Sequence, residues 1–185
     1  MDYALSEQQQ AFQETAKRFA KDKLAPHYQK RAREHRIDRA MLKQMGSLGL
    51  IGADLPEKYG GLGESSVTAG IIVEQIAYGD FNASYVQLLA SLLGGMLAEH
   101  ASPEIAQEWL PQVARGEKII GLGLTEPRGG SDAANLILRA EKSGNGYVLN
   151  GSKTFITNGQ HANLIIVVAK TDASAGAKGI SLMVV

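Results

Sequence analysis

The sequence lacks cysteine altogether, and this absence excludes several kinds of site. None of its 185 residues is Cys, so the chain has no disulfide framework, no zinc–thiolate or iron–sulfur site and no cysteine nucleophile. Its four histidines are scattered without metal-ligand spacing, and we assign them no metal. Net charge is absent as well, because 19 Lys and Arg balance 19 Asp and Glu. We therefore expect no broad field that attracts nucleic acid or an anionic membrane.

Long hydrophobic runs are missing too. No continuous apolar run approaches the roughly 20 residues that a membrane-spanning helix needs. The N-terminus, Met1–Ala4, is acidic and polar, unlike a secretory signal. With 44% hydrophobic and 21% charged residues, the composition is that of an ordinary globular protein. Together these features predict a soluble, cytoplasmic protein that binds neither nucleic acid nor membrane.

Charge is balanced overall but not locally. Residues 17–43 hold ten Lys or Arg and three acidic residues, which leaves the rest of the chain acidic. A basic stretch of this kind is a partner-docking face, a phosphate-binding surface or the solvated side of amphipathic helices. We favour the last interpretation and predict that these side chains face solvent.

The apolar period changes once, near residue 118. Before that point the spacing is helical, and helix N-caps are predicted at Ser6, Asp38 and Ser102 and within residues 80–84. The helices on either side of Asp80 are apolar nearly all round, so we expect them in the centre of a bundle. Pro111 and Gly116 are expected to end the last helix.

After residue 118 the sequence is typical of β-structure. Strands are predicted over residues 119–125, 136–141, 164–169 and 180–185. Asn150-Gly151, between two short β-rich runs, predicts a hairpin turn. The predicted fold class is therefore α+β: an all-α helical bundle over residues 1–118, followed by an antiparallel, barrel-like β-domain over residues 119–185. Because the last strand stops without a turn, we expect the β-domain to be incomplete and the sequence to be the front part of something longer.

Residues 121–132, GLGLTEPRGGSD, are the most informative stretch. A strand leads into a turn whose glycines expose backbone N–H groups, and Thr125 and Ser131 add hydroxyls. Such a cluster can hold a phosphate or an electron-rich heteroaromatic edge, and it fits an ordinary tight β-turn equally well. It is neither a P-loop nor a GxGxxG fingerprint, because no GKS or GKT is present and no helix follows.

The stretch resembles the flavin-site signature of the acyl-CoA dehydrogenases, through LTEP at 124–127 and GSD at 130–132. The sequence GSKTFITNG at 151–159 is similar to that family's second flavin motif. LGLIG at 48–52 and LPEKYGGLG at 55–63 resemble its loop between early helices. Four matches in this order, in a chain that runs from helices to strands, are far more specific than any one of them.

A finer resemblance points to one branch of that family. Residues 126–132 and the segment Tyr78–Phe81 look most like the alicyclic branch, the cyclohexanecarboxyl-CoA dehydrogenases. This resemblance implies a place in alicyclic acid degradation, within fatty acid metabolism more broadly.

The family resemblance implies FAD as the cofactor and a C-terminal helical bundle after the β-domain. It implies FAD contacts at Leu122, Gly123, Leu124, Thr125, Gly130, Ser131, Phe155, Ile156 and Thr157. Thr125 would hydrogen-bond the isoalloxazine edge, and Thr157 would donate near its N5 region. Phe155 would pack near the flavin, where the family usually has Trp, and Ser131 would also reach the CoA part of the substrate.

Each of these residues also has an ordinary structural interpretation. Phe155 could be a core residue, and Thr125 and Thr157 could be plain strand residues. Glu126, next to Pro127, is better explained as a hydrogen-bonding turn residue than as a catalytic acid.

The implied reaction is the α,β-dehydrogenation of an acyl-CoA thioester to a 2-enoyl-CoA, with hydride passing to the flavin. The family's carboxylate base is expected beyond Val185, so no catalytic residue is assigned within this chain. The resemblance also implies electron-transfer flavoprotein as electron acceptor and a homodimer or homotetramer. Two alternatives stay open: an acyl-CoA oxidase or flavin monooxygenase of the same superfamily, and a non-catalytic fragment or interaction module.

Overall fold

The computed structural model describes residues 4–185 and divides the chain into two compact units, Met1–Ile119 and Ile120–Val185. The first unit is helical, and the second is built on one five-stranded sheet. We call them the helical unit and the sheet unit. Residues 1–3, part of the acidic N-terminus that argues against a secretory signal, lie outside the described residues.

Six α-helices form the helical unit as described. They are α1 (Glu7–Phe19), α2 (Tyr28–Glu34), α3 (Arg39–Ser47), α4 (Ser66–Gly79), α5 (Phe81–His100) and α6 (Pro103–Ala114). A π-helical turn at Ala20–Leu24 and a 3-10 turn at Ala25–His27 connect α1 to α2.

The predicted N-caps at Ser6, Asp38 and Ser102 are confirmed, and within residues 80–84 the cap is Asp80. Ser6 forms a reciprocal capping box with Gln9, and Ser102 accepts a hydrogen bond from the Ile105 amide. The carboxylates of Asp38 and Asp80 each accept two amide hydrogen bonds from the first turn of the following helix. A short side-chain acceptor satisfies amides that the helix itself leaves unpaired, which is why these starts are visible in the sequence.

Of the two residues predicted to end the last helix, Gly116 is confirmed, since it follows the C-cap Arg115 with φ +68°, and Pro111 is wrong. Pro111 lies inside α6, which continues to Ala114. A proline inside a helix removes one backbone hydrogen bond, but Leu110, Val113 and Ala114 are all buried in this region. Burial of the last turn therefore outweighs the missing bond.

Helix α5 is long and apolar enough, by length and composition alone, to span a membrane. This helix contains no long continuous apolar run, because polar side chains interrupt its apolar sequence at Asn82, Ser84, Gln87 and Ser91. Half of the most apolar stretch of this helix is buried inside the protein. Core helices pass the same test, so the helix is weak evidence for a membrane span.

Helices α4 and α5 pack against each other, but not with every side buried. Ile72, Ile76 and Leu93 are fully buried, whereas Leu88 and Leu92 are exposed. The expectation that both helices are surrounded on all sides is therefore wrong for one face. An all-round apolar sequence shows that every side could be buried, and the packing decides which sides are.

Most of the basic stretch faces solvent, as predicted: of its ten Lys and Arg residues, all but Arg31 and Arg39 are exposed. Arg31 is a structural residue instead. Its Nε donates to Asp80 Oδ2 at 2.7 Å, and its Nη2 donates to the Leu24 carbonyl at 2.5 Å. The sequence could not single it out because its acidic partner lies 49 positions away.

The five strands are β1 (Ile120–Gly123), β2 (Arg139–Ser143), β3 (Gly146–Asn150), β4 (Leu164–Lys170) and β5 (Ile180–Val184). Their order is β1-β4-β2-β3, with β5 also paired to β4. The pairs β2–β3 and β4–β5 are antiparallel, whereas β1–β4 and β2–β4 are parallel. The sheet is thus mixed rather than wholly antiparallel, since the long connection between β1 and β4 lets the chain return in the same direction.

The hairpin predicted at Asn150-Gly151 is wrong. The hairpin between β2 and β3 turns at Gly144-Asn145, where Ser143 pairs with Gly146, and residues 154–156 form no strand. Gly151 is needed for a different reason: it has φ +144°, and a Cβ there would lie 2.8 Å from the Leu138 Cα. Glycine thus marks a close backbone crossing here, not a turn.

Candidate functional site

The two segments predicted to bind flavin are neighbours in the sheet unit. We call residues 122–131 the first segment and residues 151–159 the second segment. The Thr154 amide donates to the Thr125 carbonyl at 2.8 Å, and Lys153 Nζ donates to the Leu124 carbonyl at 3.0 Å. Two stretches almost thirty positions apart in sequence therefore form one surface.

The first segment begins in β1 and ends in a tight turn. Leu122 and Gly123 belong to β1 and pair with β4, and Leu124 follows as a half-buried residue. The turn closes where the backbones of Glu126 and Gly129 exchange two hydrogen bonds of 3.0 and 2.9 Å. This confirms the β-turn interpretation for residues 126–129, and a turn can still carry a ligand.

Close packing against Thr125 requires glycine at position 130. A Cβ at this position would lie 2.9 Å from Thr125 Oγ1, closer than real Cβ contacts come. Glycine therefore lets the backbone pass directly beside the Thr125 hydroxyl. The chain leaves the turn with Ser131 exposed at the surface.

Glu126 and Lys153 form a buried ion pair between the segments. Lys153 Nζ lies 3.0 Å from Glu126 Oε1, and their side chains are only 8% and 4% exposed. Glu126 Oε1 also accepts from the Leu138 amide at 2.9 Å, and Oε2 accepts from the Ile137 amide at 2.8 Å. Burial alone would raise the pKa of Glu126, but the two amides and Lys153 outweigh it and lower that pKa below its ordinary value.

The predicted role of Glu126 as a hydrogen-bonding turn residue is therefore confirmed. Its carboxylate is fully engaged, and its lowered pKa makes it a weak base.

Three hydroxyls of the site have no hydrogen-bond partner among residues 4–185: those of Thr125, Ser131 and Thr157. Thr157 and Ser131 are exposed, and Thr125 is half-buried. None of the three lies in a strand, so the alternative that Thr125 and Thr157 are plain strand residues is wrong. The site thus presents unused donors and acceptors.

Phe155 is not a core residue. Its side chain is 91% exposed, and its backbone adopts φ +55°, which a residue with a bulky side chain seldom does. Ile156, which follows, is half-buried. An exposed ring in a strained backbone is costly, so this position points to a role outside packing.

Asn158 is the site residue that the sequence analysis missed. Its backbone has φ +60°, and its carbonyl accepts from the amides of His161 and Ala162 at 2.8 and 2.7 Å. Its side-chain Nδ2 is buried without a hydrogen-bond partner within the described chain. The Asn-Gly pair at 158–159 was a visible signal, because Asn tolerates positive φ better than most residues.

The arrangement fits a flat, polar-edged cofactor. An exposed aromatic ring can cover a planar face, and the free hydroxyls with the orphaned Asn158 amide supply hydrogen bonds at an edge or to a phosphate. The Gly130 position leaves the backbone uncovered beside Thr125. These features match the requirements of a flavin better than those of a packed structural loop.

Comparison with known proteins identifies the family. Two family models match the chain: "Acyl-CoA dehydrogenase, N-terminal domain" over residues 6–117, and "Acyl-CoA dehydrogenase, middle domain" over residues 121–185. The mitochondrial isobutyryl-CoA dehydrogenase of Dictyostelium discoideum is 35% identical over 98% of this chain and 44% of its own length. The mitochondrial isovaleryl-CoA dehydrogenase of Solanum tuberosum is 36% identical over 96% of this chain and 44% of its own length.

Solved structures agree with this fold. The acyl-CoA dehydrogenase of Geobacillus kaustophilus matches all of this chain and 49% of its own, with a TM-score of 0.93 and 35% identity. A chain from work on the electron transferring flavoprotein of Acidaminococcus fermentans matches with a TM-score of 0.94 and 35% identity, over all of this chain and 49% of its own. The FAD complex of PigA matches with a TM-score of 0.89 and 28% identity, over all of this chain and 49% of its own.

The chain thus spans somewhat less than half the length of the curated relatives it matches. Its helical unit and its sheet unit match two consecutive domains of one family in the same order. On this evidence the chain belongs to the acyl-CoA dehydrogenase family.

Proposed function

We propose that this chain forms part of an FAD-dependent acyl-CoA dehydrogenase, an oxidoreductase that converts an acyl-CoA thioester to a 2-enoyl-CoA. The observation that carries the proposal is the meeting of the first and second segments, which gathers three free hydroxyls and an exposed Phe155 on the sheet unit. Membership of the family supports it.

FAD, when bound, supplies the two-electron acceptor for this oxidation. Thr125 and Thr157 would donate hydrogen bonds to the edge of its ring system, and Phe155 would cover one face. Ser131, on the exposed side of the turn, would reach the pyrophosphate and the CoA part of the substrate. Leu122, Gly123, Leu124, Gly130 and Ile156 would supply the remaining backbone and apolar contacts.

Proton removal from the thioester needs a carboxylate within hydrogen-bond reach. Glu126 is engaged by three donors, and Asp132 Oδ2 accepts a hydrogen bond from the side-chain Nδ2 of Asn135 at 2.7 Å. We therefore place the base outside residues 1–185 and expect this chain by itself not to turn over acyl-CoA.

Partners and location follow the same proposal. We expect electron-transfer flavoprotein as electron acceptor, a homodimer or homotetramer for the whole protein, and a cytoplasmic location. The relatives that the comparison names act on isobutyryl- and isovaleryl-CoA. The alicyclic specificity expected from residues 126–132 and Tyr78–Phe81 stays a prediction.

Titration of the chain with FAD tests the flavin site. Phe155→Ala should weaken FAD binding clearly, and Thr125→Val should weaken it about 2- to 12-fold, the value of one hydrogen bond. Tyr147→Ala is the matched control, because Tyr147 is a half-exposed aromatic residue in β3, outside both segments. Equal Kd values for all three variants would contradict the proposed site, and no FAD binding by the wild-type chain would favour the non-catalytic module.

A second candidate function keeps the fold and changes the reaction. PigA, whose solved structures include one with FAD and proline, matches this chain with a TM-score of 0.90 and 28% identity over all of this chain and 49% of its own. Oxygen reactivity separates a dehydrogenase from an oxidase or monooxygenase. After anaerobic reduction of the complete gene product with an acyl-CoA, slow reoxidation by oxygen in a stopped-flow experiment supports the dehydrogenase, and fast reoxidation supports the alternative.

A further inference from the structure

The Glu126–Lys153 pair joins the two segments of the candidate site. Burial of an ion pair is costly unless every charged atom is well partnered. Here both carboxylate oxygens of Glu126 are occupied, and Lys153 Nζ has two oxygen partners, one from Glu126 and one from the Leu124 carbonyl. The Glu126 carboxylate is therefore engaged at both oxygens, and Lys153 uses two of its three N–H donors within the protein.

The contacts of the pair surround one residue, Thr125. Its carbonyl is held by the Thr154 amide at 2.8 Å. The carbonyl before it, at Leu124, is held by Lys153, and the residue after it, Glu126, is the other half of the pair. Lys153 thus holds the residues before and after Thr125, and Thr154 holds the carbonyl of Thr125 itself.

The same contacts hold the start of the second segment. Phe155 follows Lys153 by two positions and adopts a strained φ of +55°. An exposed side chain gains nothing from packing, so the strain must be held by neighbours whose own positions are fixed. Lys153 and Thr154, both bonded to the first segment, are those neighbours.

We propose that Glu126 and Lys153 are positioning residues that set the distance between Thr125 and Phe155, and so shape the flavin site without touching the flavin. This inference rests on the proposed function. The alternative is that the pair only stabilises the sheet unit.

The chemistry of the two side chains predicts unequal effects of removing them. Glu126→Gln places an NH₂ group against an amide N–H or against Lys153, because both carboxylate oxygens accept hydrogen bonds. Lys153→Met leaves Glu126 with its two amides but releases the Leu124 carbonyl. Lys153→Met should therefore change the position of Thr125 more than it changes the position of the Glu126 carboxylate.

The test compares Lys153→Met, Lys153→Arg and the double variant Glu126→Gln/Lys153→Met with the wild-type chain. FAD Kd is measured by flavin fluorescence well below every melting temperature, and exchange of the Thr154 amide is measured without FAD. We expect Lys153→Met to weaken FAD binding about tenfold or more and to speed exchange at Thr154. Lys153→Arg, which keeps the charge, should recover most of the affinity, and the double variant should not.

Two results would overturn the inference in distinguishable ways. If the wild-type chain binds FAD and Lys153→Met lowers the melting temperature while Kd stays within about twofold, the pair is a structural staple only. If the wild-type chain does not bind FAD, the proposed function fails and this inference fails with it.

Discussion

The helical unit and the sheet unit each contain a buried ion pair, and the two pairs are used differently. In the helical unit, Asp80 caps α5 and also binds Arg31, so one carboxylate joins α2 to the start of α5. In the sheet unit, Glu126 and Lys153 are also largely shielded from solvent, but they lie beside free hydroxyls and an exposed ring. We therefore expect the same kind of interaction to stabilise the fold in the helical unit and to shape a binding surface in the sheet unit.

The largest expected effect comes from breaking the Arg31–Asp80 ion pair of the helical unit. Asp80→Ala should lower the free energy of unfolding by about 3–5 kcal/mol, because it removes a helix cap and leaves Arg31 without its partner. Urea unfolding followed by Trp109 fluorescence measures it, since the only Trp of the sequence lies in α6. Asp80→Asn keeps the cap and loses the charge, so it should cost less than Asp80→Ala. Equal costs would show that the cap contributes nothing, and no cost in Asp80→Asn would show that the ion pair contributes nothing.

The next largest effect is expected from the buried face of α5, which we compare with the exposed face of the same helix. Leu93→Ala should destabilise the helical unit by about 2–5 kcal/mol, because Leu93 is fully buried and its loss opens a cavity. Leu92→Ala, on the exposed side of the same helix, should stay within about 0.5 kcal/mol of wild type. Similar losses at both positions would mean that the exposed face of α5 is covered in solution.

A smaller effect, in the sheet unit, depends on pH. Since folding lowers the pKa of Glu126, its stabilising contribution is complete above its ordinary value of 4.5 and is lost as the pH falls below it. Glu126→Gln should remove this part of the acid sensitivity. Urea midpoints at about pH 7 and about pH 3.5, followed by the methyl resonances of β4, measure the difference. An unchanged acid dependence in the variant would assign it to other groups.

The smallest expected effect concerns Phe155. Phe155→Gly should leave the sheet unit as stable as wild type or stabilise it by up to about 1 kcal/mol, because glycine adopts φ +55° without strain. Phe155→Ala keeps the strain and is the control. Thermal melting of the two variants measures the difference, and a loss of stability in Phe155→Gly would return the ring to a packing role.

The helical unit was largely predictable because its signals are local. A cap such as Ser6 or Asp80 acts on amides two or three residues away, so the sequence contains both partners side by side. Pro111 was the exception, and there burial of distant origin prevailed over a local rule.

The sheet unit was predictable in composition but not in pairing. The strands near residues 120, 164 and 180 were found, whereas the hairpin was placed at Asn150-Gly151 instead of Gly144-Asn145. Both dipeptides join glycine to asparagine, and only the register of β2 against β3 distinguishes them. The sequence likewise indicated both segments of the site but not Asn158 or the partner of Glu126.

The sequence by itself determined the family, the order of helices before strands, the helix caps and the two segments that carry the candidate flavin contacts. The tertiary structure decided what those segments do together. The Thr154–Thr125 hydrogen bond, the Glu126–Lys153 pair and the exposure of Phe155 all follow from the path of the chain between β1 and β4. Contacts between residues nearly thirty positions apart depend on which strands pair and in which register, and no local pattern of charge or hydrophobicity specifies that pairing.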